Sequence, residues 1–488
     1  MSEEELIAQR VEKLERLRAA GVDPYPARVQ RTHSAQDAAA LVDQSSDTGP
    51  VTVTGRVTAM RHMGKATFLD LRDGSGRIQV YAKQESIGVE PYDMLLHQID
   101  LGDFLGVSGM LFRTKTGEPT VEAQSFTVLT KALRPPPEKW HGLQDVELRY
   151  RQRYLDLMAN PEVRETFVTR SRIVTSIRRF LDARGYLEVE TPILQGSAGG
   201  AAARPFTTYH NSLDRQLHLR IAIELHLKRL VVGGFDRVYE IGRIFRNEGV
   251  STKWNPEFTM LESYEAYADY NHLMKMVEEM ISSIAGDVLG PTRVAHGDTE
   301  INFSPPWPRI PIRDAILENG GVDFEAHPDV ESLRKAATSS GLKVEPGWGR
   351  GKLIDELMTL HVEPKLIQPT FLIDYPVELS PLAKRKPDNS RLVERFEFFI
   401  AGREVGNAYS ELNDPLDQRE RLLQQAQLKA SGDDEVELAD EDFLIALEHG
   451  MPPTAGLGIG IDRLVMALTG NASIREVILF PALRERER

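Results

Sequence analysis

The sequence predicts an α+β protein in two parts: a small N-terminal barrel of five strands, then a larger domain in which helices and strands alternate. Three observations predict it. The chain has 488 residues, too many for one hydrophobic core. Residues 51–130 hold five short runs of strand-like alternation. Beyond about residue 160, apolar positions at helical spacing are interleaved with strand-like runs.

At the N-terminus, Ser2 followed by Glu5 has the form of a capping box, and Ile7, Val11, Leu14 and Leu17 make one apolar helical face. Gly21 and Pro24 stop that helix. The segments VTVTGRVTAM, ATFLDLRD, RIQVYAK, DFLGVSGMLF and PTVEAQSFTVL then read as strands, with DGSG at 73–76 as a hairpin turn. Five strands in about 80 residues suit a closed barrel of the oligonucleotide-binding (OB) type. On pattern alone, a small structural β-domain fits equally well. Arg134-Pro135-Pro136-Pro137 opens a stiff connection. Phe167, Val174, Ile177 and Leu181 mark a helix that Gly185 ends. Alternation continues to about residue 285, and the proline-punctuated stretch 290–370 reads as an insertion or subdomain. TFLIDYPVEL and RFEFFIAGREVGN are strand-rich, a polar helix is expected near 415–430, and GLGIGIDRLVMAL with VILFP closes the chain.

Composition narrows the chemistry. With no cysteine, disulfides, thiol catalysis and cysteine-bound zinc are excluded, so any essential metal must sit on carboxylates or histidines. No apolar run approaches the roughly 20 residues of a membrane span. The charged, amphipathic start MSEEELIAQRVEKLERL is the pattern of neither a secretory signal nor a transit peptide, so a cytoplasmic location is expected. A net charge of −14 argues against nucleic acid, although basic and acidic residues nearly balance between about 50 and 140.

Three segments carry candidate chemistry. Phe245-Arg246-Asn247-Glu248, a loop with Lys253, then Asn255-Pro256-Glu257-Phe258 suits a hairpin that grips a phosphate and stacks a flat base. Arg246 and Glu248, two apart, are expected on one strand face. A plain surface hairpin fits too. Glu397 and Glu404, expected in one strand-like stretch and followed by Asn407 and Glu411, suit a carboxylate pair for Mg²⁺ with Glu411 free for a cationic ligand. A solvated edge strand is the competing reading. Gly456–Arg463 (GLGIGIDR) lets backbone approach a ligand and sets Arg463 near a helix N-terminus. GWGRGKL at 347–353 is not a P-loop, since it lacks the spacing and the Ser/Thr.

In this order, these segments resemble the signature motifs of class II aminoacyl-tRNA synthetases: RGYLEVETPIL (184–194, with Pro192) motif 1, FRNEGVSTKWNPEF motif 2 and GLGIGIDR motif 3. Nothing like the HIGH and KMSKS pair of class I is present. Within class II the chain most resembles the bacterial-type lysyl-tRNA synthetases over essentially its full length. TKALRPPPEKWHGLQDVELRYRQRYLDL, GGAAARPF, LHLKRLVVGGFDRVYEIGRIFRNEG, NPEFTMLE, LIQPTF and GNAYSELND carry that likeness.

The resemblance implies an N-terminal helix and OB-fold anticodon-binding barrel at 1–140. It also implies a catalytic domain at 141–488 with an antiparallel sheet flanked by helices, and homodimerisation through motif 1. ATP, L-lysine and tRNA(Lys) are the implied partners, Mg²⁺ the cofactor, and no membrane is involved. Arg246 and Arg463 would be catalytic. Arg246, Glu248, Lys253, Asn255, Phe258, Glu404 and Arg463 would bind ATP, and Glu397 with Glu404 would hold the metal. Gly200, Glu224, Arg246, Glu262, Tyr264, Asn407 and Glu411 would bind lysine as an anionic, hydrogen-bonding set. The matching segments show no further arginine to read an acidic side chain. Arg61, Phe68, Gln79 and Glu118 would read the anticodon. Two positions depart from the family's pattern: Trp254 stands where motif 2 usually has histidine, and Ile223 precedes Glu224 where proline is common.

Competing readings are an aspartyl- or asparaginyl-tRNA synthetase, a paralogue that lysylates a protein or lipid, and an inactive RNA-binding relative. Retention of Arg246, Glu397, Glu404 and Arg463 argues against the last.

Overall fold

The computed structural model describes residues 2–42, 49–137, 143–197, 199–201, 203–290, 292–297, 299–430 and 440–485. The chain divides into two compact units, Met1–Asp145 with Tyr154–Ala159, and Val146–Arg153 with Asn160–Arg488. The boundary expected at 140/141 lies outside the described residues.

In the first unit, helix α1 (Glu3–Ala19) begins with the expected capping box. Ser2 accepts from the Glu5 N–H, and Glu5 accepts from the Ser2 N–H. Among the described residues the strands β1 (Pro50–Met63), β2 (Ala66–Arg72), β3 (Arg77–Lys83), β4 (Phe104–Arg113) and β5 (Pro119–Thr130) close a barrel in the order β1-β2-β3-β5-β4. Alternate residues of β1 point inward, so Val51, Val53 and Val57 join Leu69, Leu71, Ile78, Val80, Leu105, Val107 and Val121 in one core. The 73–76 turn forms because Asp73 Oδ1 accepts from the Ser75 and Gly76 N–H groups at 2.8 and 3.1 Å. Helix α2 (Val89–His97), in a stretch where the sequence patterns give no element, caps the barrel with Tyr92 and Leu95.

The second unit is built on a sheet of eight described strands: β6 (Leu187–Glu188), β7 (Arg237–Phe245), β8 (Glu257–Ala266), β9 (Arg309–Pro311), β10 (Thr370–Ile373), β11 (Arg395–Ile400), β12 (Arg403–Ser410) and β13 (Thr454–Gly460). Their order is β9-β10-β11-β12-β13-β8-β7-β6. The interior of the sheet is antiparallel, and the edge pairs β9–β10 and β6–β7 are parallel.

One face of this sheet is apolar. Leu261, Phe396, Phe398, Ala408, Leu457 and Ile459 pack under α3 (Pro161–Asp182), α5 (Tyr270–Leu289) and α6 (Ile461–Thr469). Residues of the opposite parity face away from that core, and they are the ones with chemistry. Between 290 and 370, Ile312–Gly320, Val330–Ser339 and Arg350–His361 are helices with an apolar cluster of their own. That stretch also supplies β9 to the main sheet. No helix among the described residues is long and apolar enough to cross a membrane.

Two local expectations need correction. Glu397 and Glu404 do not share a strand: they lie on β11 and β12, which Ala401 and Gly402 join in a turn with φ of +55° and +70°. Such a turn is usually signalled by Asn-Gly or Asp-Gly, and Ala-Gly lacks that signal. Arg246 and Glu248 are not on a strand face either, because β7 ends at Phe245. The N–H of Arg246 is still tied back to the Pro256 carbonyl at 2.9 Å, and that of Asn247 to the Arg204 carbonyl at 2.8 Å.

Candidate active site

Antiparallel pairing brings distant segments into rows. Glu262 on β8 pairs with Gly458 on β13, which pairs with Asn407 on β12, which pairs with Glu397 on β11. The next row runs Tyr264, Gly456, Tyr409, Arg395. In these two rows the central strand presents glycine to this face, a trough walled by polar side chains. The glycines are required. A Cβ on Gly456 would lie 2.1 Å from Glu411 Oε1 and 2.5 Å from the Tyr264 ring. With strands about 4.8 Å apart, Glu262 and Glu397 stand about 14 Å apart across the trough.

At the β8 end, three carboxylates converge: Glu224 at the start of α4 (Glu224–Val232), Glu262, and Glu411 just past β12, exposed by 7%, 4% and 1%. Glu262 accepts from the Ile223 N–H at 2.9 Å and the Tyr264 hydroxyl at 3.1 Å. Burial, then the charge of Glu224, pushes its carboxyl up to about 7. The Tyr409 hydroxyl donates to Glu224 at 2.6 Å. Burial drives Glu411 well above the usual carboxylate range, with Lys228 opposing. Glu411 Oε1 accepts no hydrogen bond among the described residues. Gly200 has φ +88°, and a Cβ there would meet Ala222 at 3.1 Å and Glu224 at 3.5 Å.

Two cations that sequence reasoning missed lie here. Lys228 Nζ is 2.5 Å from Glu224 Oε1 and in contact with Glu411 Oε2. Arg395 donates to Asn407 Oδ1 at 2.9 Å and to Glu397 Oε1 at 2.5 Å, and to Leu379 and Ser380. Arg395 lies outside the matching segments, and the strand pairing, invisible in sequence, sets it beside Asn407. Both cations are already engaged by carboxylates, so neither is free for an acidic ligand. Lys228 had a visible signal: it stands four residues from Glu224 on the same helix, at the spacing of an i,i+4 ion pair.

At the other end, Arg246 is half-buried with its guanidinium 5.3 Å from the Phe258 ring, and burial lowers its pKa. Its Nε donates to the Ile221 carbonyl at 3.3 Å. Glu248 and Lys253 are exposed. Arg463 donates to the Glu404 carboxylate at 2.9 Å and lies 4.7 Å from the Trp254 ring, so the residue replacing histidine makes a cation–π contact. Asn255 is otherwise occupied. Its side chain donates to the Glu257 carbonyl at 2.5 Å and accepts from the Ala482 N–H at 3.0 Å, pinning the loop. Asp462, also unforeseen, accepts from Arg170 on α3 at 2.6 Å and from the Thr259 N–H at 2.7 Å, joining the elements of all three motifs.

The metal pair can be tested on its surroundings. Glu397 also accepts from the Tyr375 hydroxyl at 2.9 Å. Burial pushes its carboxyl up to about 7; Arg395 opposes this, while Glu404 and Asp355 raise it further. No group of three or more acidic or histidine ligands is close enough to form a cage among the described residues. One or two carboxylates completed by substrate phosphates is how Mg²⁺ is usually held, and the residues fit it.

On the barrel, Phe68 lies outside the apolar core, on the outer face, stacked on Tyr81 at 4.6 Å and 22°. Tyr81 in turn meets Phe112 at 6.2 Å. Arg61 pairs with Asp70 at 3.3 Å, Glu118 pairs with Arg77, and buried Gln79 accepts from Thr120 at 3.1 Å. Tyr81 stands opposite Phe68 across the 73–76 hairpin, and Phe112 escaped the sequence reading because its strand is distant in the chain.

Known proteins show the same two-part organisation. The family described as tRNA synthetases class II (D, K and N) matches residues 145–484, and the OB-fold nucleic acid binding domain family matches residues 51–129. A lysine–tRNA ligase of Dehalococcoides mccartyi is 55% identical over 493 residues, covering 100% of this chain and 99% of that protein. Those of Moorella thermoacetica and Carboxydothermus hydrogenoformans are 55% and 56% identical, covering 100% and 99% of this chain and 99% of each relative.

Proposed function

The chain belongs to the class II tRNA synthetases (D, K and N), and from that premise we propose that it is a lysine–tRNA ligase whose amino-acid pocket is the glycine-floored trough. One observation carries the lysine reading: three buried carboxylates converge there, one with an unpaired oxygen, while both nearby cations are already bonded to glutamates. An aspartate side chain would meet the wrong charge, and an asparagine amide would leave the carboxylates' charge without a counter-ion.

In the first step a lysine carboxylate oxygen attacks the α-phosphorus of ATP, the bond to the β-phosphate breaks, and lysyl-adenylate forms as pyrophosphate leaves. No protein nucleophile is needed. Arg246 lies where it could bind both the α-phosphate and the substrate carboxylate, and Phe258 offers a face to adenine. Lys253 and Arg463 reach toward the terminal phosphates, with Glu248 beside the base. Glu397 and Glu404 would hold Mg²⁺, which supplies charge neutralisation to the polyphosphate. Glu224, Glu262, Tyr264, Asn407 and Glu411 orient lysine through its two ammonium groups, with the Gly200 backbone at the α-amine.

In the second step a hydroxyl of the terminal tRNA adenosine attacks the acyl carbon and AMP leaves. The barrel face, with Phe68, Arg61, Gln79 and Glu118, would take the splayed anticodon of tRNA(Lys). Motif 1 would form a homodimer, and the enzyme would act in the cytoplasm.

The test is ATP–pyrophosphate exchange with each of the twenty amino acids, Mg²⁺ present and tRNA absent. Lysine alone should support exchange. Exchange with aspartate or asparagine would keep the fold and overturn the pocket.

A further inference from the structure

Lys228 has no part in the mechanism above, yet it is the one wholly buried ammonium among the pocket's described residues. It is 0% exposed, with Glu224 and Glu411 as its ion-pair partners and the rings of Tyr409 and Phe443 5.6 and 5.7 Å from Nζ. Burying an ammonium this deeply is expensive unless it is paired. The two carboxylates it touches come from chain segments 187 residues apart, Glu224 opening α4 and Glu411 following β12.

We propose that Lys228 is the pocket's built-in counter-ion, a positioning residue that bridges Glu224 and Glu411 and fixes both carboxylates for the two ammonium groups of a lysine substrate. This rests on the lysine reading of the trough. Each glutamate uses one oxygen on Lys228: Glu224 through Oε1, shared with the Tyr409 hydroxyl, and Glu411 through Oε2. Glu411 Oε1 is left for a ligand, pressed against Gly456. The titratable groups facing Lys228 and its two partners are Glu262, Tyr264 and Tyr409.

The physical argument turns on charge. Three carboxylates with no cation among them would not all stay ionised in a buried site, and a neutral carboxyl no longer attracts an ammonium. Burial pulls the Lys228 ammonium down, but Glu224 and Glu411 outweigh it, so it stays charged. On Glu411 burial acts upward, and Lys228 is the largest influence against it. Removing Lys228 therefore takes away the largest influence holding Glu411 down and pushes its carboxyl further up, a loss of charge that higher pH partly reverses.

The experiment is lysine-dependent ATP–pyrophosphate exchange by the full chain carrying Lys228→Met, Lys228→Arg, Glu411→Gln, or Lys228→Met with Glu411→Gln. For Lys228→Met the KM for lysine should rise about 30-fold or more at pH 7 while that for ATP changes by about twofold at most. The defect should shrink as pH rises from 7 to 9. Lys228→Arg should restore most of the affinity. Adding Lys228→Met to Glu411→Gln should cost little further, and the double variant, which leaves Glu411 without a charge to strand, reports even if the single one folds poorly. A lysine KM within about threefold of wild type at every pH, or equal losses for lysine and ATP, overturns the inference. Wild-type exchange with another amino acid would instead overturn the lysine reading, so the two failures are distinct.

Discussion

On the catalytic sheet Glu262, Glu397 and Glu411 are 4%, 8% and 1% exposed, whereas on the barrel the side chains of Arg61, Arg77 and Glu118 keep 48%, 46% and 36% of their surface in water. The two faces manage charge differently. In the trough, burial pushes Glu262 and Glu397 up to about 7, and every carboxylate leans on a specific partner: Tyr264, Arg395 or Lys228. On the barrel Arg61 and Arg77 reach out of the core over the buried Asp70, Arg77–Glu118 pairs in solvent and contributes about 0–1 kcal/mol, and the aromatic run Phe68-Tyr81-Phe112 offers the larger contact. Electrostatic work needs a dry, prebuilt site, while recognition of a flexible strand can use exposed rings. Single changes should then cost far more in the trough.

The largest effect is expected for Arg246→Ala, which should lower lysine-dependent exchange about 10³-fold or more. Near-normal exchange would refute the phosphate role and weaken the contrast. Next, Glu411→Gln should raise the KM for lysine about 100-fold and leave that for ATP within about twofold. Equal shifts in both constants would place Glu411 outside the amino-acid pocket. On the barrel, Phe68→Ala should reduce aminoacylation efficiency for tRNA about 30-fold, with adenylate formation unchanged. A parallel drop in both steps would show that the barrel does not act separately.

The smallest effect is a pH dependence. The Glu262 carboxyl, held up to about 7 by burial and by Glu224, is neutral below that pH and charged above it. Lysine's ammonium groups need the charged form, so the KM for lysine should fall about tenfold from pH 6 to pH 8. A flat profile would mean that Glu262 stays ionised throughout and that the trough is wetter than its burial implies.

Much of this was legible in the chain. The capping box at Ser2 and Glu5, the turn at Asp73–Gly76 and the α3 face with Ile177 and Leu181 rest on short-range chemistry, and each formed where its residues stand. The trough's acidic character was legible too, through Glu224, Glu262 and Glu411. What escaped was pairing across long separations. Glu397 and Glu404 read as one strand because Ala401-Gly402 carries no strong turn signal. Asn255 reads as a ligand-binding amide, yet backbone groups two and 227 residues away consume its side chain. Arg395 looks like an ordinary surface charge until the sheet closes over it.

By itself the sequence determined most of the elements and their order, the absence of any thiol chemistry, and the kinds of side chain that reach the trough. Those follow from local propensity, period-2 and period-3.6 patterning and residue chemistry, all readable within a few residues. Only the tertiary structure decided the row Glu262–Gly458–Asn407–Glu397, the need for glycine at Gly456, and the seat of Lys228 between Glu224 and Glu411. Strand register and buried charge pairing depend on contacts between segments up to about 200 residues apart, and no local period encodes them.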